Sequence, residues 1–411
     1  MTDFTVASAP DNRPLSETYA GALDERRTLW LSIRKSGEKL VVDLFAPGEG
    51  GHGSVTLSSE ADLPAEEIRE QADALRRAWF TSLRDFVPGR VTSSAETPLI
   101  RTVDFRSLRG PQLDAVWWAL AKKGSDLFRD LFTGGVRKWI ETALWSELEQ
   151  VITVRSEYLH APWPMLYLPP ENQDVFESTG KPAPFEGFLG YRHLIEHALR
   201  DQDGRPAPIS PDGTMTAGVY MDKSIDDGDD PVIAPIITLL RGSVDDVVEH
   251  EDKSAFKPGL GDLAEQIMYF CCHTDTETDN AKKQYLKLTD QVPVSAPDVR
   301  DWLNGKQMSK PLVVMNTCKG GLSSVNDMSH TIVRSGAGAL IGPQIIAPRK
   351  FAGEFAAAFL KELFGPPPAR VGRAARYVAR LFVENQDNPL GLTYLVYQGM
   401  DMQIRREAAT A

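Results

Sequence analysis

The C-terminal half of this 411-residue chain contains short, strongly apolar runs that each end in polar or glycine-containing segments. Two of these runs are Ile267 to Cys272 and Leu312 to Asn316, and stretches with helical spacing of apolar residues lie between such runs. Continuous apolar runs of this length are typical of parallel strands covered on both faces. Their alternation with helices predicts an α/β fold with a parallel-rich sheet flanked by helices.

The N-terminal half has a different pattern. Leu29 to Ile33 and Leu40 to Phe45 alternate in hydrophobicity around a short polar turn, which predicts a β-hairpin, and amphipathic helices follow. Asp201 to Gly213 is rich in Asp, Gly and Pro and is the best candidate linker. The predicted organisation is a flexible tail at 1–25, an α+β non-catalytic region at 26–205, an α/β catalytic region at 206–404 and a tail at 405–411.

Composition excludes several classes of protein. With 42% hydrophobic residues the chain can bury a large core, and its net charge of -12 opposes direct binding to nucleic acid. No apolar stretch approaches the roughly 20 residues that a membrane span needs. Met1 to Ser16 is polar and has no secretory pattern, so we expect a cytoplasmic protein that does not bind membranes. The three cysteines are too few for a disulfide framework.

His273 and Cys318 follow the two apolar runs described first. Open α/β sheets place their chemistry where parallel strands end, so we expect these side chains to lie close together. A cysteine attacks as its thiolate, and a neighbouring histidine can take the thiol proton. Lys319-Gly320-Gly321 can form a tight turn whose backbone N–H groups face a developing oxyanion. A Cys followed by a variable residue and Gly, with His about 50 residues upstream, also parallels the caspase signature.

Other interpretations of these residues remain open. Buried cysteines often act only as small apolar residues, and we expect that role for Cys271 and Cys272. A zinc site formed by these two residues with His273 and Cys318 is disfavoured, because adjacent ligands on an extended segment fit a tetrahedral shell poorly. Asp275, Glu277 and Asp279 form either a solvated loop or a patch that attracts basic substrate side chains.

Several segments, taken in order, resemble the CHAT-domain proteins, the bacterial branch of the caspase-, separase- and gingipain-like cysteine proteases. The matching segments include strands that end in the expected histidine and cysteine, a short hairpin, a helix start and a Pro-Trp segment. They are Ala161 to Leu166, Phe188 to Arg192, Phe270 to His273, Leu286 to Asp290, Val294 to Val299 and Leu312 to Gly320.

The resemblance implies a caspase-like fold and peptide-bond hydrolysis by a Cys-His dyad without a metal or other cofactor. Cys318 corresponds to the nucleophile and His273 to the general base. Backbone N–H groups of Thr274 and Cys318 correspond to the oxyanion donors. The N-terminal region resembles the non-catalytic half of such proteases, for which a degenerate caspase-like copy is one interpretation.

The chain also departs from the family. Thr274 stands where the family usually has Gly, and Asn316-Thr317 replaces the usual Ser-Ala before the nucleophile. We therefore treat Asn316, Asp275 and Glu277 as candidates for the substrate pocket rather than as matched positions.

Proteins of this kind often serve as effectors in bacterial antiphage defence and stay inactive until a partner triggers them. We therefore expect a protein substrate and an activating partner protein. The alternative is a catalytically inactive caspase-like scaffold that binds regulatory partners, which the substitution at Thr274 motivates. A thiol-dependent hydrolase or acyltransferase acting on a small molecule is a third hypothesis and requires a deep apolar pocket beside Cys318.

Overall fold

The computed structural model divides the chain into two compact units. Unit 1 contains Met1–Ser82 and Leu108–Arg205, and unit 2 contains Leu83–Ser107 and Pro206–Ala411. The domain boundaries that the sequence predicts stay a prediction. The residues that the structure describes are 27–47, 54–86, 103–108, 110–145, 149–168, 185–199, 209, 214–226, 231–262, 265–277, 280–303, 308, 310–317 and 324–404.

The hairpin that the sequence predicts near the N terminus is confirmed. β1 (Leu29–Ser36) pairs antiparallel with β2 (Lys39–Ala46), and Gly37 in the turn adopts a left-handed φ of 60° that glycine accepts easily. Three further strands of unit 1 are β3 (Val55–Pro64), β4 (Val151–Arg155) and β5 (Leu194–Ala198). The strand order is β3-β2-β1-β4-β5, with β1, β4 and β5 parallel.

The helices that begin in unit 1 follow the amphipathic segments of the sequence. Pro111 occupies the first turn of its helix, where its missing N–H has no intrahelical partner to lose. Trp117 and Phe128 of that helix are buried, so its apolar face packs inward. These helices are α1 (Ala65–Phe86), α2 (Pro111–Leu131), α3 (Gly134–Leu144) and the single turn α4 (Leu189–Arg192).

Unit 2 contains the parallel strands that the apolar runs predict. Its strands are β6 (Thr216–Met221), β7 (Asp246–His250), β8 (Ile267–Cys271), β9 (His273–Glu277), β10 (Asn280–Lys287), β11 (Pro293–Ser295), β12 (Leu312–Met315), β13 (Ala339–Pro343) and β14 (Tyr394–Gln398). Six of them run in the order β14-β13-β12-β8-β6-β7. All neighbours in this order are parallel except β13 and β14. Every residue of β8, β12 and β13 is buried, which explains their continuous apolar sequences.

Helices accompany these strands, so the α/β prediction is confirmed. The helices are α5 (Ala234–Arg241), α6 (Lys253–Asp262), α7 (Ala296–Leu303), α8 (Ser324–Arg334), α9 (Arg349–Phe364) and α10 (Val371–Gln386). The carboxylate of Asp226 accepts hydrogen bonds from three backbone N–H groups where α5 begins, which satisfies donors that a helix start leaves open. Within the described segments, no helix is both long and apolar enough to cross a membrane.

The segment after His273 is a strand, which corrects one prediction. The sequence suggested that Asp275 and Glu277 lie in a loop, but both belong to β9, and Asp279 lies outside the described residues. β9 pairs antiparallel with β10, and β10 with β11, to form a separate three-stranded sheet. Threonines alternate here with acidic residues, so the β-branched signal lacks the apolar residues that identified β8.

Candidate active site

Three neighbouring parallel strands of unit 2 end side by side. Met221 of β6 pairs with Cys271 of β8, and Phe270 of β8 pairs with Met315 of β12. The backbone bonds continue one residue further: the N–H of Asp222 donates to the Cys271 carbonyl at 3.0 Å. The residues that follow these strands therefore meet at one edge of the sheet, which is where open α/β sheets place their sites.

His273 stands at this edge beside a buried carboxylate. Its Nε2 lies 3.9 Å from Oδ2 of Asp222, and the Asp222 side chain has 0% exposure while that of His273 has 30%. This distance exceeds that of a hydrogen bond. The buried carboxylate of Asp222 is therefore a near neighbour of the His273 ring without a direct bond to it.

The Asp222 carboxylate has hydrogen bonds on both oxygens. Oδ1 accepts from the backbone N–H of Ser224 at 2.9 Å, and Oδ2 accepts from Nε2 of Gln291 at 2.7 Å. A buried carboxylate needs such donors, because an uncompensated charge in the interior is strongly unfavourable. The two donors also fix the direction in which the carboxylate points.

Asp222 was missed by the sequence analysis, although a signal for it was present. It follows the apolar strand β6 directly, just as His273 and Cys318 follow apolar runs. The strand-end rule that singled out the histidine and the cysteine therefore also applies to Asp222. Gln291 carries no comparable signal, because it reaches the site only through the turn after β10.

Asn316 lies in the interior. It is 1% exposed, and its Nδ2 donates to the hydroxyl of Tyr269 at 3.2 Å and to the carbonyl of Ala352 at 2.7 Å. Its Oδ1 accepts a hydrogen bond from the hydroxyl of Tyr394. We expected this side chain to face a substrate, whereas these bonds direct its amide towards β8, α9 and β14.

The structure describes only some of the remaining candidate site residues. Cys318 and the glycine turn that follows it lie outside the described residues, and Thr317 before them is 2% exposed. Thr274 and Asp275 pair in backbone register with Leu286 and Tyr285 of β10. Both oxyanion donors and the pocket roles of Asp275 and Glu277 therefore stay predictions.

The end of β6 belongs to a buried polar network that contains Tyr220, Glu265 and His250. The Tyr220 hydroxyl donates to Oε2 of Glu265 at 2.6 Å, and Nε2 of His250 lies 2.7 Å from Oε1 of the same carboxylate. The Tyr220 ring stacks between His250 and Phe270, with centroids 4.4 and 4.6 Å away. Burial, together with the Glu265 charge, raises the pKa of Tyr220 well above its usual value, so its hydroxyl stays protonated and keeps donating.

The other two cysteines are buried, as the sequence suggested: Cys271 is 2% exposed and Cys272 0%. Among the side chains that the structure describes, no group of three or more His, Cys, Asp or Glu residues could hold a metal ion.

The comparisons with known proteins identify a fold. No protein-family model matches the sequence, and neither does any curated protein. The structure is similar to that of a chain in the 2.6 Å crystal structure of the Saccharomyces cerevisiae separase–securin complex, with a TM-score of 0.51 and 9% identity, over 96% of this chain and 31% of that one. A 3.0 Å structure of the same complex gives a TM-score of 0.50 and 9% identity, over 92% and 30%.

This chain therefore spans about a third of the length of the protein chains it resembles. At 9% identity the similarity concerns the fold and not the chemistry. The chain has a caspase-like, separase-like α/β fold.

Proposed function

We propose that this protein is a regulated cysteine endopeptidase with Cys318 as nucleophile and His273 as general base. The observation that carries the proposal is the position of His273 and the buried Asp222 at the ends of adjacent parallel strands, 3.9 Å apart. Cys318 follows the next strand of the same sheet, two residues beyond Asn316. The caspase-like fold supports a reaction at this edge.

In the proposed reaction His273 takes the proton of the Cys318 thiol, and the thiolate attacks the carbonyl carbon of the scissile peptide. The oxyanion of the tetrahedral intermediate accepts hydrogen bonds from the backbone N–H groups of Cys318 and Thr274. His273 then gives its proton to the departing amine, which leaves a thioester. Water attacks this thioester with His273 again as base, which releases the acid product and restores the thiol.

Asp222 acts on the histidine in this scheme. Its negative charge favours the imidazolium form of His273, and the imidazolium in turn favours the thiolate of Cys318. The buried position of Asp222 strengthens the effect, because little water screens the interaction. Asp222 is therefore a positioning residue that prepares the pair for proton transfer.

The resemblance to CHAT-domain proteins extends the proposal to biology. We infer a role as an effector in bacterial antiphage defence, with a specific protein as substrate and a second protein as activator. No step of this scheme uses a metal ion.

The test compares Cys318→Ala with Cys272→Ala, a matched control at a buried cysteine next to His273. Each variant is co-expressed with the proteins that the neighbouring genes encode, and new protein N-termini are measured by mass spectrometry. We expect cleavage products with the parent and with Cys272→Ala, and a loss of at least about 10^3-fold with Cys318→Ala. Unchanged cleavage by Cys318→Ala would exclude the proposed nucleophile. If the parent protein gives no cleavage products, and iodoacetamide alkylates Cys318 slowly both before and after activation, the inactive scaffold is favoured.

A further inference from the structure

One oxygen of the Asp222 carboxylate faces two possible donors. Oδ2 accepts a hydrogen bond from Nε2 of Gln291 at 2.7 Å, whereas Nε2 of His273 lies 3.9 Å from the same atom. Because N–H···O bonds span about 2.7–3.2 Å, this oxygen is bonded to the glutamine and only near the histidine. The other oxygen is held by the N–H of Ser224 at 2.9 Å. The carboxylate thus has a fixed position about 1 Å short of a hydrogen bond with His273.

We propose that Gln291 is a regulatory positioning residue that holds Asp222 short of His273, and that its release allows the two to bond. This inference rests on the proposed function and describes how the same site is controlled. Removal of the Gln291 donor leaves Oδ2 with an unmet acceptor in a buried position, and the histidine is the nearby group that can donate to it. The closed pair then favours the imidazolium and hence the thiolate.

Gln291 belongs to a short turn that is anchored on both sides of Asp222. The hydroxyl of Thr289 accepts from the N–H of Lys223 at 2.9 Å and lies 3.3 Å from the carbonyl of Met221, to which it can donate. Gln291 also donates from its backbone N–H and from Nε2 to the carbonyl of Leu288, at 2.9 and 3.1 Å. We call Leu288–Gln291 the clasp. The two bonds of Gln291 to the Leu288 carbonyl hold the glutamine amide against the carboxylate.

The clasp directly follows β10, the strand that pairs with His273 on β9. β10 ends at Lys287, and Lys287 is the register partner of His273 on β9. Residues directly opposite in an antiparallel pair have neighbouring side chains, so Lys287 and His273 are neighbours across this sheet. A partner that moves this small sheet changes the clasp and the surroundings of His273 together. The three-stranded sheet is therefore the element through which an activator would act.

The experiment uses the full chain and the variant Gln291→Met. Methionine keeps the length and Cβ of glutamine, so the left-handed φ of 57° at this position is no harder to adopt, but it has no donor. Thr289→Val is the matched control, because it removes clasp bonds without removing a bond to Asp222. The first readout is the NMR titration of the histidine Cε1–H signals, assigned with His273→Gln. The second is the rate at which iodoacetamide alkylates Cys318 between pH 5 and 9, measured by peptide mass spectrometry.

We expect the titration midpoint of His273 to move to higher pH in Gln291→Met. Alkylation of Cys318 at pH 7 should become about 3- to 10-fold faster, because an opposite charge at close range favours the ion pair. Thr289→Val should change neither readout, and Gln291→Met combined with Asp222→Asn should lose both gains. An unchanged or lower midpoint in Gln291→Met would overturn the inference. If Gln291→Met does not fold, Gln291→Asn provides the same test, because Asn accepts a left-handed conformation and its shorter amide reaches less far.

The two readouts separate this inference from the proposed function. If His273→Gln leaves Cys318 alkylation and its pH profile unchanged, the Cys-His pair is refuted, while the NMR titration still measures the effect of Gln291 on His273. If His273→Gln slows alkylation but Gln291→Met matches the parent in both readouts, the clasp is refuted and the peptidase proposal stands.

Discussion

At the scale of single residues, Asn316 fixes the end of the strand that leads to the proposed nucleophile. Its amide bonds to a tyrosine of β8, a tyrosine of β14 and a carbonyl of α9. All of these groups are buried, so the amide bonds lie in an environment that excludes water. Cys318 follows Asn316 by two residues in the sequence. These bonds give Asn316 a structural role at the end of β12, and its role in a substrate pocket stays a prediction.

We therefore predict that Asn316→Ala destabilises the protein by about 3 kcal/mol, because it removes three buried hydrogen bonds. Tyr394→Phe is the graded comparison: it removes one donor and should cost about 1 kcal/mol. Urea unfolding of both variants, followed by circular dichroism, measures the difference. Equal stability of the two variants would mean that the amide network contributes less than its geometry suggests.

At the scale of elements, some strands can be predicted from their sequence and others cannot. β8 and β12 are buried at every position, so each appears as an uninterrupted apolar run. β9 carries alternating threonine and charged residues, so its pairing with β10 has no apolar signature. The bond between Gln291 of the clasp and Asp222 has no sequence signature at all, because it depends on how β6 and the three-stranded sheet are arranged in the fold. A local pattern predicts an element, whereas contacts between distant turns depend on the assembled fold.

Gly218 on β6 shows how tightly one element can constrain a position. A Cβ at this residue would lie 2.1 Å from Oε2 of Glu265, the carboxylate that bonds Tyr220 and His250. Glu265 has no room to move without breaking these buried bonds. The absence of a side chain at Gly218 therefore allows the polar network to lie directly against the strand.

Gly218→Ala should accordingly destabilise the protein by about 2 kcal/mol or more, through overpacking and loss of the network bonds. Gly242→Ala is the matched control, because its φ is -80° and the nearest atom to a new Cβ is 3.5 Å away. That change should be neutral or slightly stabilising. Thermal melting of the two variants provides the test, and equal melting temperatures would contradict the steric explanation.

At the scale of the whole molecule, stability depends on pH through a buried histidine that is not part of the candidate site. His193 in unit 1 is 2% exposed, and burial, aided by the positive charge of Arg192, lowers its pKa to about 3. Its Nδ1 accepts the N–H of Gln150 at 3.1 Å, and its Nε2 lies 3.1 Å from the Leu144 carbonyl, to which the neutral tautomer donates. A proton on Nδ1 would break the first of these bonds. The folded protein therefore keeps this histidine neutral at pH values where an unfolded chain protonates it.

The sign of the effect follows from proton counting. Between about pH 6.5 and pH 3 the unfolded state holds one more proton at His193 than the folded state, so the free energy of unfolding falls as the pH falls through this range. The contribution is fully present above about pH 6.5, and its loss amounts to about 1.4 kcal/mol per pH unit below that value. His193→Gln removes the titrating group and should make the pH dependence shallower by this amount.

Tryptophan fluorescence is a suitable probe for this prediction, because seven of the eight tryptophans belong to unit 1 and only Trp302 to unit 2. Urea unfolding of the parent and of His193→Gln between pH 7.5 and 4.5 gives two curves of unfolding free energy against pH. We expect them to run parallel above about pH 6.5 and to converge below it, since the parent loses stability faster as it acidifies. Curves that stay parallel down to pH 4.5 would show that His193 can take up a proton in the folded protein, and that its burial costs less than the structure implies.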